Sequence, residues 1–150
     1  MIEEVYNYLR EFGFTKDEVN FFEDSNDKMF FTNINEVEKN ISFLNNKNLT
    51  KEEVIQVFKK NPFMITVKDN RLNALNKIYL EELKFESNLL KELIINNPET
   101  YTLSPIELQK IIDYLKEHNY SIEVIRDFIL KNPKIISMEF NEFIKLLKVN

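Results

Sequence analysis

Lys47, Lys51, Lys59, Lys60, Lys68, Arg71 and Lys77 all fall between residues 44 and 79, a stretch with only three carboxylates. The flanking stretches 9–43 and 80–114 each carry four more acidic than basic side chains. Lysine and arginine at a surface neutralise phosphates, a contact that positions a nucleic-acid backbone without any bond making or breaking. The same run also reads as a solvated helix surface in a Lys-rich protein. A second series follows the period of a repeat: Lys39, Lys110 and Lys145 occupy equivalent positions on the second helix of a two-helix unit, with Ala74 in the remaining copy. Glu36, Glu107 and Glu142 each stand three residues earlier. Such helical ion pairs stabilise by ~0.2–0.5 kcal/mol each and draw the lysines away from a phosphate. Arg71 replaces the glutamate in the second copy. The candidate nucleic-acid-binding set is therefore the seven clustered cations together with Lys110 and Lys145.

Other chemistry has little to stand on. The chain has no Cys and one His, so thiolate nucleophiles, disulfides and the usual zinc sets are excluded. His118 falls at an expected helix end, where a terminal surface role is the ordinary one. The carboxylate pairs Asp17-Glu18, Glu52-Glu53 and Glu81-Glu82 sit in or near expected helix starts, where the backbone dipole favours negative charge. No catalytic residue, metal ligand or cofactor site is expected. Most aromatic side chains fall in core positions; Phe21, Phe31, Tyr6 and Tyr79 do not, and mark a candidate contact surface.

The elements that must position these side chains are helices. One Gly in 150 residues is too few for the tight turns of a sheet protein. No apolar run approaches the ~18 residues that span a bilayer. The acidic start Met1-Ile2-Glu3-Glu4 has the pattern of neither a signal nor a transit peptide, so a cytoplasmic location is expected. The net charge of −5 lacks the basic balance usual for a nucleic-acid partner.

Asn-Pro occurs at Asn61-Pro62, Asn97-Pro98 and Asn132-Pro133, and Asn26-Asp27 stands one further step back. Six apolar columns keep the register: Leu9, Leu44, Leu80, Leu115; Phe14, Leu49, Phe85, Tyr120; Val19, Val54, Leu90, Ile125; Phe22, Val57, Leu93, Phe128; Phe30, Ile65, Tyr101, Ile136; and Val37, Leu72, Leu108, Phe143. The steps are 35, 36 and 35, so one residue is inserted between Leu72 and Leu80.

Each unit reads as two helices. The first opens on a hydroxyl cap, with capping boxes at Thr15/Glu18 and Thr50/Glu53 and caps at Ser87 and Ser121. Asn-Pro ends it, because proline lacks the amide and drives its predecessor out of the α region. A brief apolar stretch, one turn of 3₁₀ helix, leads to the second helix, clearest at Ser104-Pro105-Ile106-Glu107, a capping box with Pro at the first helical position. That helix ends at a column of Gly13, Asn48, Lys84 and Asn119, where Gly and Asn suit a left-handed cap. A lone pair of helices cannot bury both faces, so the copies must stack.

Laid out this way, the unit resembles the repeat of the mitochondrial transcription termination factor (mTERF) family: a leucine, an apolar-Ser/Thr helix start, a proline after the first helix, a short apolar corner and a second Leu-rich helix. LTKEEVIQVFKKNPFMITVKDNRLNALNKIYL shows it most fully. The resemblance implies an all-α fold, a right-handed α-solenoid of about four two-helix mTERF-like repeats, each with a short 3₁₀ corner. Residues 1–150 form one domain on this reading, with 1–12 as an N-terminal capping helix and repeats at 13–47, 48–83, 84–118 and 119–150. The chain is expected to be a short, acidic, bacterial relative. The resemblance further implies a non-enzyme that binds double-stranded DNA or structured RNA through a concave face. The acidic total and the ion-paired lysines imply the alternative, a protein-interaction scaffold. Neither reading involves a membrane or a metal.

Overall fold

A computed structural model describes residues 1–149, with side chains through Lys148. Among the described residues every secondary-structure element is a helix. The α-helices are α1 (Glu3–Phe12), α2 (Lys16–Ser25), α3 (Ile34–Asn45), α4 (Lys51–Lys60), α5 (Asp69–Asn76), α6 (Ser87–Asn96), α7 (Pro105–Glu117), α8 (Ile122–Lys131) and α9 (Phe140–Val149). The chain divides into two compact units, Met1–Val67 and Lys68–Asn150.

The same corner follows α2, α4, α6 and α8. Asn26, Asn61, Asn97 and Asn132 each end an α-helix and start a 3₁₀ turn, with φ of −137°, −141°, −136° and −133°. In three corners proline takes the first 3₁₀ position, where its missing amide costs nothing. In the first, the Asn26 side chain accepts from the Lys28 amide instead. This corner also differs in its core. Met29 is buried, like Met64, Thr100 and Ile135 after it, whereas Phe30 is 49% exposed and not the core residue its column implied. Length is not the cause, since Asp27–Phe30 and the proline-led Pro98–Tyr101 both have four residues; Met29 and Thr32 take the buried positions of this corner and Phe30 is left at the surface.

The far ends of α1, of α3, of the helical run that starts with α5, and of α7 are equally regular. Gly13, Asn48, Lys84 and Asn119 are the residues with positive φ among those described. The next amide in line, of Phe14, Leu49 or Tyr120, donates to a carbonyl five residues back, on Leu9, Leu44 or Leu115. After Lys84 the Phe85 amide reaches six back, to Tyr79. The extra step is the inserted residue, which the helix absorbs as a π-helical turn over Lys77–Glu82. Tyr79 therefore takes the core position assigned to Leu80; Tyr79 is fully buried and Leu80 is 39% exposed.

In the first unit, reciprocal capping boxes start α2 and α4, as the sequence predicts. Asn33 caps α3 through the Glu36 amide. The buried Asn26 amide donates to the Pro62 carbonyl at 3.2 Å and to the Thr66 hydroxyl at 2.9 Å. Asn40 on α3, also buried, donates to the carbonyls of Ile65 at 2.8 Å and Val67 at 3.2 Å. These bonds meet backbone groups that the 3₁₀ turn cannot satisfy internally.

In the second unit, the carbonyls of Thr100 and Thr102 are met by the Tyr79 hydroxyl and the Arg71 guanidinium, each at 2.7 Å. The Tyr101 hydroxyl donates to the Asn76 side chain at 2.6 Å. Three local expectations fail here. Glu86, not Ser87, precedes α6 as its cap residue and makes no side-chain cap bond. Ser104 does cap α7, but Glu107 accepts from the Phe140 amide and pairs with Lys110 rather than closing the box. Tyr120 is 50% exposed and Phe128 half-buried, whereas their counterparts in earlier copies are core residues.

Candidate nucleic-acid interface

The nine candidate cations divide between the units. Lys47, Lys51, Lys59 and Lys60 belong to the first; Lys68, Arg71, Lys77, Lys110 and Lys145 belong to the second.

In the first unit, Lys47 follows α3 with its ammonium 5.1 Å from the centre of the Phe43 ring. Burial of this side chain pushes its pKa down from the ordinary lysine value. Lys51 opens α4 with its ammonium 5.3 Å from the Phe12 ring centre. Both ammonium groups thus sit over aromatic faces, whose quadrupole attracts a cation. Lys59 pairs with Glu18 at 3.0 Å, so it joins α4 to α2. The Glu18 carboxyl is held below the usual range, first by the Thr15 amide it accepts from and then by Lys59. Lys60 stands exposed at the last position of α4.

In the second unit, Lys68 is the residue before α5 and is exposed. Arg71 is anchored by its bond to the Thr102 carbonyl. Lys77 and Lys110 share an open groove of about 700 Å³ between the π-helical turn and α7, with Ala74 and Ile106 on its walls. The groove is not purely basic, since Glu81, Glu82 and Asp113 also line it. Gln109 bridges Glu82 and Asp113, at 2.9 Å to each, and Lys116 pairs with Glu82 at 2.7 Å. Lys110 itself pairs with Glu107 at 3.1 Å, the helical pair anticipated from their spacing. Lys145 lies exposed on α9.

What these side chains offer is positive charge, the attribute that a phosphate would meet. His118 ends α7, where its Nδ1 donates to the Tyr114 carbonyl at 2.8 Å and its ring lies 4.1 Å from that of Tyr114. Among the described residues no group of three or more His, Asp or Glu side chains is placed to hold a metal ion. No described helix is long and apolar enough to cross a membrane. Of the aromatic residues left outside the core columns, Phe21 and Phe31 are exposed, Phe31 at 85%. Tyr6 accepts from Arg10 at 3.3 Å, and Tyr79 belongs to the core. Arg126 had no place in the candidate set; its guanidinium donates to the carbonyls of Leu83 and Lys84, at 3.0 and 3.2 Å.

No curated protein matches the chain. A family model described as mTERF matches residues 1–79, a segment that contains the whole basic stretch 44–79.

Proposed function

The chain belongs to the mTERF family, and on that premise we propose that it is a non-enzymatic binding protein for double-stranded DNA or structured RNA. The observation that carries this reading is the overlap between the matched segment and the basic stretch. The family is one of helical-repeat proteins that generally bind nucleic acid. In a chain of net charge −5, residues 44–79 alone hold a surplus of four positive charges. Phosphate contacts of this kind fix register on a duplex and carry no base information by themselves. Lys51, Lys60 and Lys77 are exposed and are the contacts we assign first. Arg71 and Lys59 serve the fold as well, through Thr102 and Glu18.

A protein-interaction scaffold is the second reading. It is favoured by the acidic total and by the pairing of Lys59 and Lys110 with carboxylates inside the molecule.

Charge reversal separates the two. The triple variant Lys51→Glu, Lys60→Glu, Lys77→Glu avoids the two anchored side chains. Lys51 opens α4, where the helix dipole accepts a carboxylate. The nucleic-acid reading expects affinity for duplex DNA or hairpin RNA at ~50 mM salt to fall about tenfold or more, with helicity retained. Unchanged affinity clears these residues, and no binding by the parent protein leaves the scaffold reading.

A further inference from the structure

Inside the first unit, Glu18 of α2 and Lys59 of α4 form an ion pair between neighbouring copies. Its two halves are held very differently. One Glu18 oxygen accepts from the Thr15 amide at 2.9 Å in the capping box, and the other lies 3.0 Å from the Lys59 ammonium. The backbone thus fixes the carboxylate in place. The lysine is a long, flexible side chain, 41% exposed.

Packing of one copy on the next does not require this pair. The Glu18 column continues as Glu53, Leu89 and Val124, and the Lys59 column runs Asp24, Lys59, Ile95 and Leu130. In the later copies Leu89 and Leu130 are both half-buried, so aliphatic side chains serve at these two positions. An ion pair this exposed adds little to stability, and apolar residues of similar volume commonly do as well. Lysine stands in this column only in the second copy, the one that carries the basic stretch. A cation kept where packing asks for none points to a use outside the fold.

That use is blocked while the pair is closed. A lysine still held by a carboxylate brings no net charge to a phosphate, so it releases none of the cations condensed on a nucleic acid. We propose that Glu18 masks Lys59 as a phosphate contact, so that the first unit withholds one of its own cations until the carboxylate is displaced. Lys60, the next residue, is exposed and needs no such displacement. The proposal rests on the nucleic-acid reading above and names a residue that sets affinity within it.

Glu18→Gln tests this, because glutamine keeps the capping box and removes only the charge. Affinity for a short duplex DNA and a hairpin RNA is measured for the parent and the variant from ~50 to ~200 mM salt. The expected gain is about three- to tenfold at the low end, with a slope on duplex DNA steeper by about 0.9, one phosphate more. Asp17→Asn removes the same charge from the preceding, exposed residue. That control, and Glu18→Gln made in a Lys59→Gln background, should each gain less than about twofold, because neither frees a cation. Equal gains in all three settings overturn the proposal, since average charge then explains them. So does a parent that binds while Glu18→Gln gains nothing. Absence of binding by parent and variant alike at the low end removes the nucleic-acid reading itself, and the masking role falls with it.

Discussion

The corner Pro62–Thr66 in the first unit and the corner Pro98–Tyr101 in the second meet one demand with different side chains. Both leave backbone carbonyls near a 3₁₀ turn that cannot satisfy them, all from buried residues except that of half-buried Thr102. In the first unit the donors are carboxamides: Asn26 to Pro62, and Asn40 to Ile65 and Val67. In the second they are a phenol and a guanidinium: Tyr79 to Thr100, and Arg71 to Thr102. In both, the donors come from the segment before the first helix of the copy, not from the helix that ends at the corner, and their chemistry differs. Asn40 occupies the position that Leu75 and Ile111 fill in later copies. The polar clamp therefore leaves no column, whereas the apolar packing around it does.

The hardest blow to the first corner is Asn40→Asp. It removes the donor and places a carboxylate against two carbonyl oxygens at a site with no exposure. A loss of about 3–5 kcal/mol is expected, the cost of an uncompensated buried charge. Urea unfolding followed by circular dichroism reads it, and a loss below about 1 kcal/mol would mean the clamp is unimportant. Asn26→Ala leaves the Pro62 carbonyl and the Thr66 hydroxyl without their donor and should cost about 2–3 kcal/mol in the same measurement.

Tyr79→Phe strikes the second corner more gently, with one bond lost and about 1–2 kcal/mol expected. This corner also carries a pH signature that the carboxamides lack. Burial pushes the Tyr79 phenol well up from its ordinary value, with Tyr101 and Glu99 adding to the rise, and burial likewise raises Tyr101. A raised acid favours its neutral form in the folded state. The stability it brings is complete below the unfolded tyrosine value of about 10 and is lost as pH climbs toward the folded one. Tyrosinate absorbance and circular dichroism should therefore change together under alkali. Early ionisation of Tyr79 without loss of helix would contradict its burial.

The smallest effect expected is a gain. Lys84 has φ of 54°, where Gly13, Asn48 and Asn119 hold residues suited to that region. Lys84→Gly should add about 0.5–1 kcal/mol, visible as a raised unfolding midpoint.

These cases divide what the sequence shows from what it hides. The corner asparagines, the two reciprocal capping boxes and the left-handed column were all legible, because backbone geometry imposes them on residue type. The inserted residue was legible too, but its remedy was not: a π-helical turn moves Tyr79 inward and Leu80 outward, and spacing alone cannot say which residue yields. Phe30 was misplaced because Met29 and Thr32 fill the buried positions of its corner, which column spacing does not show. Arg71 reads as a phosphate contact by type and serves a carbonyl in the fold. Charge and spacing identify candidate cations; they do not reveal which of them the fold already employs.

The central claim is that basic side chains of an mTERF-family chain hold a nucleic-acid backbone. The most direct measurement is affinity for a short duplex DNA and a hairpin RNA across salt from ~50 to ~200 mM. The account predicts log affinity falling linearly with log salt, with a slope near −0.9 for each phosphate neutralised on duplex DNA. Affinity that is absent at the low end, or that does not change across the range, would contradict it.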